Sequence, residues 1–174
     1  MGGNRGRRRD LMRPEPGEYN PYYQQYVARV PDDVLSALKS QIDETVSLLA
    51  GAEGDYRYAP GKWTIAEMLR HVIDTERIFA YRALRISRND PQPMEGFEQD
   101  DYVRNAPHCP LADLIEEFKI VRQSTILLFR HLDAEAWSRH GVANGSPISV
   151  RALAFLIAGH ELHHRGVLRE KYLA

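Results

Sequence analysis

A histidine-rich segment near the C-terminus carries the residue types best suited to chemistry. Residues 159–166 read Gly-His-Glu-Leu-His-His-Arg-Gly. Because residues three or four apart share one face of a helix, His160 and His164 can hold one metal ion between them. A buried stripe is predicted by the spacing of Leu153, Leu156, Ile157, Val167 and Leu168. The two histidines fall near the middle of this stripe, whereas His163 lies to one side and Glu161 to the other.

Two other classes of metalloprotein share part of this sequence motif. The run H-E-x-x-H is the signature of zincin proteases, with Glu161 in the general-base position. That class takes its third ligand from downstream, and no candidate follows His164, so we expect any third ligand to come from upstream. A di-iron carboxylate bundle needs two E-x-x-H motifs and two further glutamates. Glu67 and His71 are four apart, so the second motif is missing.

The upstream histidine that the C-terminal pair requires is His71. It lies at the edge of the apolar face of a helix predicted to begin with the capping box Thr64-Ile65-Ala66-Glu67. Taken alone, a histidine in this position is typical of an ordinary helix flank. Together with the later pair it predicts a three-histidine site, and three neutral imidazoles favour zinc or nickel over magnesium or calcium. Three protein ligands would leave a coordination position for water or substrate, as catalytic sites require.

A base or an orienting carboxylate is also needed near such a metal. Asp74 follows His71 by three residues and is the first candidate, although a salt bridge to Arg70 or Arg77 would explain it equally well. Glu161 ranks second because the helical wheel turns it away from the stripe. The predicted catalytic residues are therefore Asp74 and Glu161, and His163 is expected at the periphery.

Length and composition limit the remaining possibilities. A chain of 174 residues with a net charge of -1 suits a single domain and argues against a protein built to bind nucleic acid or anionic membranes. Residues 1–12, with Arg5 and Arg7–Arg9, are predicted to be a disordered arm, and residues 13–174 to be the domain. The first residues lack the apolar run of a signal peptide, so a cytoplasmic protein is expected. The single cysteine, Cys109, excludes an internal disulfide.

The periodicity of apolar residues predicts an all-α fold. Four helices are expected at about residues 32–49, 64–87, 110–131 and 150–172, with no convincing strand pattern. Residues 10–30 carry four tyrosines and three prolines and are expected to form a strap or short helix over the domain, either sealing the core or lining a pocket. These features predict a four-helix bundle with an N-terminal strap and long connecting loops, including one at residues 89–109.

Several of these runs together resemble one known family. They are residues 62–69 (Lys-Trp-Thr-Ile-Ala-Glu-Met-Leu), 71–77 (His-Val-Ile-Asp-Thr-Glu-Arg) and 159–164, with further likeness at residues 17–23 and 81–85. In order and separation they resemble the DinB/YfiT-like metalloprotein superfamily, in particular its YfiT-type branch. One departure is Val167, where the family typically has glutamine after His-Arg-Gly.

The resemblance implies a four-helix bundle that holds a divalent metal with three histidines. Carried over by position, these are His71, His160 and His164. Members are described as metal-dependent hydrolases, or as transferases that use a low-molecular-weight thiol such as bacillithiol or mycothiol, and many dimerise. We therefore expect a small-molecule substrate and a homodimer. If the protein is a transferase, we also expect a low-molecular-weight thiol as cosubstrate. The alternative is a metal-stabilised interaction module without catalysis, in which the metal would be sealed from solvent.

Overall fold

The computed structural model describes residues 13–173, and the predicted Arg-rich arm lies outside the described residues. An N-terminal strap, residues 13–30, contains a 3-10 turn and a short helix. The helices and strands, in chain order, are α1 Gln24–Val27, α2 Val34–Leu49, α3 Ile65–Ser87, α4 Gln99–Asn105, α5 Leu111–Arg130, α6 Ala134–Ser138, β1 His140–Ala143, β2 Ser146–Ser149 and α7 Val150–Val167. A π-helical turn, Leu168–Tyr172, continues α7. The predicted helical bundle is confirmed.

Side-chain caps explain where the long helices begin. Thr64 accepts a hydrogen bond from the backbone N–H of Glu67, and the Glu67 carboxylate accepts one from the N–H of Thr64, as the predicted capping box requires. Ser149 caps α7 by accepting from the N–H of Ala152 at 3.0 Å. These caps satisfy backbone donors that a helix end leaves free, and so fix the register of the helices that carry the histidines.

The bundle has a crossed connectivity. α2 packs against α5 and α7, and α3 packs against the same two helices, so α2 and α3 occupy opposite corners. The site depends on the contact between α3 and α7, which places His71 of one helix beside the histidines of the other. Within residues 13–173, no helix combines the length and apolar character needed to cross a bilayer.

Two connections are more ordered than the sequence pattern predicted. The stretch expected to be a loop at residues 89–109 contains α4, and the connection before α7 contains α6 and a β-hairpin. The prediction of no strand was therefore wrong in this detail. Asn144 and Gly145 both have positive φ angles, 49° and 71°, which is typical of a tight hairpin turn. Strands of four residues are too short to show a clear alternation of apolar and polar residues.

The strap is held by one contact within itself and by several contacts with α7 and its N-cap. Arg13 donates to the backbone oxygen of Val27 at 2.7 Å. The Glu18 carboxylate accepts from Ser149 Oγ at 2.7 Å and from both sides of the Arg151 guanidinium fork. Val27 is fully buried and α1 packs against α7. The predicted strap over the domain is thus confirmed, and it brings its tyrosines to the histidines.

Candidate metal centre

Three histidine side chains converge between α3 and α7. The Nε2 atom of His160 lies 3.0 Å from that of His71 and 3.1 Å from that of His164. All three nitrogens fall within 4.8 Å of one another, and they are the residues predicted as metal ligands. The ring centroids are 4.5–4.9 Å apart and the ring planes are steeply inclined, so the imidazoles meet at their Nε2 edges.

Aromatic neighbours hold these rings in place. The Tyr26 ring from the strap packs edge-on against His160 at 5.7 Å, and the Trp63 ring lies 4.9 Å from His71. Gly159 allows the strap to approach, because a Cβ atom there would overlap the backbone carbonyl of Tyr26. The glycine next to the first ligand of α7 is therefore a packing requirement.

Burial keeps the three imidazoles uncharged. Desolvation lowers the pKa of His71 to about 4 and that of His164 to about 3, and it lowers the pKa of His160 as well. His160 is 7% exposed and His71 is 3% exposed. At neutral pH each ring therefore offers a lone pair, which is the form that binds metal.

The donor set fits a late transition metal. Metal–nitrogen bonds of about 2.0–2.1 Å in a tetrahedral site separate neighbouring nitrogens by about 3.3 Å, close to the spacing of the Nε2 atoms. Neutral imidazole suits zinc, nickel, copper and iron. Nδ1 of His164 is buried without a hydrogen-bond partner among residues 13–173, and the ring has its one polar contact through Nε2, to Nε2 of His160. A cation between the three Nε2 atoms would account for their convergence.

A cavity of about 290 Å³ reaches this cluster. His71 and His160 line it, together with the strap tyrosines Tyr22, Tyr23 and Tyr26. The tyrosines thus serve both of the roles left open by the sequence: Tyr26 is buried, while Tyr22 is 64% exposed at the cavity. A small molecule in this cavity would contact two of the three histidines.

The two predicted catalytic carboxylates lie elsewhere. Asp74 lies 3.7 Å from Arg77 and lines a different cavity with Arg70. Burial raises the pKa of Asp74, against the opposing effect of those two arginines. Glu161 is 1% exposed and accepts hydrogen bonds from Thr45 and Arg122. Neither belongs to the histidine cluster, so their roles in catalysis stay predictions.

His163, expected at the periphery, is half-buried. Its ring packs edge-on against Tyr26 at 5.4 Å, and it is outside the cluster of convergent nitrogens. The helical wheel predicted this separation from His160 and His164, since His163 falls to one side of the apolar stripe.

The cavity is also lined by three polar or charged residues that were not predicted as site residues from the sequence. Thr75 and Arg82 follow His71 along α3, and Asp100 comes from α4. The Thr75 hydroxyl is buried without a hydrogen-bond partner among residues 13–173, and the charge of Asp100 tends to raise the pKa of His71. Spacing contained the signal for the first two, because residues 71, 75 and 82 share one face of a helix. Nothing in the spacing indicates Asp100.

Comparisons with known proteins agree with this architecture. A relative from Oceanobacillus iheyensis, whose name assigns it provisionally to the metal-dependent hydrolases, is 26% identical over 134 residues, or 75% of this chain and 76% of that protein. The structure of YfiT from Bacillus subtilis, described as a probable metal-dependent hydrolase with an unusual four-helix bundle topology, matches with a TM-score of 0.64. That match covers 90% of this chain and 89% of YfiT at 14% identity, and it shows a shared fold.

A family model gives the assignment of the whole chain. The model of the DinB superfamily matches residues 14–168, which include the strap, the bundle and all three convergent histidines. On this match the chain belongs to the DinB superfamily.

Proposed function

We propose that this protein is a metal-dependent enzyme that acts on a small molecule, with His71, His160 and His164 holding a divalent transition metal, zinc or nickel. Hydrolysis is the reaction we favour, because the relative from Oceanobacillus iheyensis and YfiT are both described as metal-dependent hydrolases. The observation that carries the proposal is the cavity: two of the three proposed ligands line a space of about 290 Å³. A purely structural metal would be expected in a sealed site.

The protein supplies a dry, shaped environment for this chemistry. A metal ion held there would lower the pKa of a coordinated water or thiol toward neutrality. Tyr26, Trp63 and Phe79 pack against the histidine rings and cover them where the cavity does not. The Thr75 hydroxyl is free to donate to a substrate oxygen. Asp100 lines the same cavity and is placed to accept a proton, alongside the carboxylates predicted earlier.

A second candidate function is thiol transfer, supported by a second cavity. A space of about 450 Å³ lies beside Trp63, whose ring packs on His71, and Asp100 borders both cavities. Its walls carry four basic side chains from Arg57, Lys62, Arg70 and Arg104, besides acidic ones. Two cavities next to one histidine suit a reaction with two substrates. The four cations would attract the carboxylates of a thiol such as bacillithiol, and Asp55, Glu67 and Asp100 in the same lining would oppose that attraction in part.

The metal site is tested by counting bound metal. We expect about one zinc or nickel ion per chain in the wild-type protein, and almost none in His71→Ala, His160→Ala and His164→Ala, measured by elemental analysis. His163→Ala is the matched control, because it removes a neighbouring imidazole outside the cluster. Unchanged metal content in all three ligand variants would refute the proposed site.

The reaction is tested with metal-loaded protein. A hydrolase should cleave small esters or amides without added thiol, whereas a transferase should consume an electrophile only with bacillithiol, mycothiol or glutathione. Asp74→Asn, Glu161→Gln and Asp100→Asn then separate the three candidate carboxylates. The proton acceptor is the one whose replacement lowers kcat while metal content is retained. The homodimer stays a prediction, which sedimentation measures directly.

A further inference from the structure

Arg82 is a buried cation without an acidic partner. It is 5% exposed, and within residues 13–173 no carboxylate lies within 4.0 Å of its guanidinium. Its Nη2 donates to the backbone oxygen of Glu95 at 2.7 Å. A guanidinium has five N–H donors and stays charged in proteins, so most of its donors have no acceptor here. Arg82 lines the cavity, and none of its nitrogens is among the buried atoms of residues 13–173 that lack a partner, so its remaining N–H groups open on the cavity and can donate to a bound anion.

The location of Arg82 shows where that partner would bind. Residues 71, 75, 79 and 82 form one face of α3, and all four line the cavity that reaches the histidine cluster. The guanidinium packs over the Phe79 ring at 5.7 Å, and the same ring lies 6.4 Å from the ring of His160. One aromatic side chain therefore contacts both the unpaired cation and the proposed metal centre.

We propose that Arg82 binds an oxyanion group of the substrate, a carboxylate or a phosphate, at the end of the molecule away from the histidines. This anion site deepens the proposed function. It rests on that function only in taking the bound molecule to be the substrate. The planar fork of a guanidinium matches the two oxygens of either group. Tyr23 lines the cavity beside Arg82 and offers a hydroxyl as a further donor.

The charges around the cavity give the substrate an orientation. Glu98 and Asp100 also line it, and both are exposed. Their negative charges would repel an anionic group of the substrate, whereas the positive charge of Arg82 attracts it. Because solvent screens the exposed acids and not the buried guanidinium, attraction by Arg82 is the stronger effect. The anionic group is therefore directed to Arg82 and the reacting group to the histidines.

The test measures anion binding to metal-free protein, so that it does not depend on the metal site. Wild-type protein is titrated with inorganic phosphate and, separately, with acetate, against sodium chloride at matched ionic strength. We expect Tm to rise with at least one oxyanion beyond the chloride control. Arg82→Met should bind that oxyanion about tenfold more weakly or worse, since charge-assisted hydrogen bonds are lost. A response to phosphate alone or to acetate alone identifies the group.

Two controls make the result specific. Arg77→Met removes an arginine on the same helix that pairs with Glu117 outside this cavity, and it should leave the oxyanion response unchanged. Arg82→Met should retain the metal content of the wild type. If the histidine variants show that no metal binds while the Arg82-dependent response persists, the proposed function fails and the anion site stands. Equal responses in wild type and Arg82→Met would overturn the anion site, whatever the metal content.

If Arg82→Met fails to fold, the anion site can still be tested on the wild-type protein. Arg82→Lys keeps the positive charge but has no guanidinium Nε–H group. In NMR spectra, the side-chain Nε–H resonance that the wild type shows and this variant lacks is therefore that of Arg82. That resonance should shift on addition of phosphate or acetate to the wild type. No shift with either anion would overturn the proposal.

Discussion

Two neighbouring residues on α7, His160 and Glu161, belong to two contrasting polar clusters. Glu161 faces a closed cluster in which buried charges neutralise one another. His160 faces an open cluster in which buried polar atoms lack partners in the described protein. α3 shows the same division at adjacent positions, because Thr75 lines the open cluster and Glu76 belongs to the closed one. Each helix thus carries one residue of the closed cluster next to one residue at the proposed ligand site.

The closed cluster is centred on Arg122, which is completely buried. Its Nε and Nη2 donate to Glu76, and its Nη1 donates to Glu161, to Gln41 and to the backbone oxygen of Leu38. Burial alone would lower the pKa of Arg122, but the two carboxylates raise it above its ordinary value. All three nitrogens of the Arg122 guanidinium are used, so Arg122 has no donor left for a ligand.

The open cluster is somewhat less buried and lies at a cavity. The Thr75 hydroxyl and Nδ1 of His164 lack hydrogen-bond partners in residues 13–173, and Arg82 lacks a carboxylate. Buried polar groups are nearly always paired in stable proteins, so the unpaired Thr75 hydroxyl at the cavity beside the histidines indicates a place for a ligand. The comparison teaches that access to a cavity, rather than burial, charge or completeness of pairing, distinguishes the two clusters, because Arg165 beside Glu161 also has buried nitrogens without a partner among residues 13–173.

Breaking the closed cluster should have the largest effect. Arg122→Met leaves Glu76 and Glu161 buried and unpaired, and we expect it to reduce the free energy of unfolding by about 3–5 kcal/mol. Urea unfolding followed by circular dichroism measures this change. Adding Glu76→Gln and Glu161→Gln to the same variant should restore part of the stability, because the uncompensated charges are removed. No difference between the single and triple variants would contradict an electrostatic origin.

Filling the open cluster should stabilise the protein. Zinc at about 100 times its Kd is expected to raise the free energy of unfolding by about 2.7 kcal/mol, since only the folded state gathers the three histidines. His160→Ala should show no such increase. Glu161→Gln, although less stable at the outset, should respond to zinc as the wild type does. A loss of the zinc response in Glu161→Gln would show that the two clusters are not independent.

The contact between strap and α7 can be altered next to the open cluster. Gly159→Ala places a methyl group against the backbone of Tyr26, and we expect a loss of about 1–3 kcal/mol from overpacking. Gly166→Ala on the same helix meets nothing within 4 Å. That control should stabilise the helix by about 0.5–1 kcal/mol. Thermal unfolding compares the two, and equal effects of the two substitutions would show that the close approach of the strap is unimportant.

Local signals in the sequence were enough to predict the long helices. Thr64 and Ser149 begin α3 and α7 as predicted, because capping depends on residues within one turn. The crossed order of the helices could not be predicted, since the spacing of apolar residues shows which face is buried and not which helix covers it. α4 was missed for a related reason: only Val103 of its seven residues is buried, so it has no apolar stripe.

The candidate site was predictable only where one helix carries the information. The apolar stripe on α7 correctly indicated that His160 and His164 point inward and that Glu161 is turned aside. It could not reveal that Glu161 faces Arg122, because that partner lies 39 residues earlier in the chain. The unpaired state of Arg82 is likewise invisible in sequence. It depends on the distance of Arg82 from every carboxylate of residues 13–173, including Glu98 and Asp100, which line the same cavity.

The smallest expected effect concerns the anchor of the strap beside the open cluster. Burial alone would raise the pKa of Glu18, but hydrogen bonds from Arg151 and Ser149 outweigh it and leave the pKa lowered. A carboxyl whose pKa is lower in the folded state stabilises the fold above its unfolded pKa of about 4.3 and loses this contribution as the pH falls. Glu18→Gln should therefore cost about 1 kcal/mol or less at pH 7. The difference in free energy of unfolding between Glu18→Gln and wild type should shrink below about pH 4. Urea unfolding at pH 7, 5 and 3.5 would measure it. A difference that stays constant with pH would show that the anchor does not depend on charge.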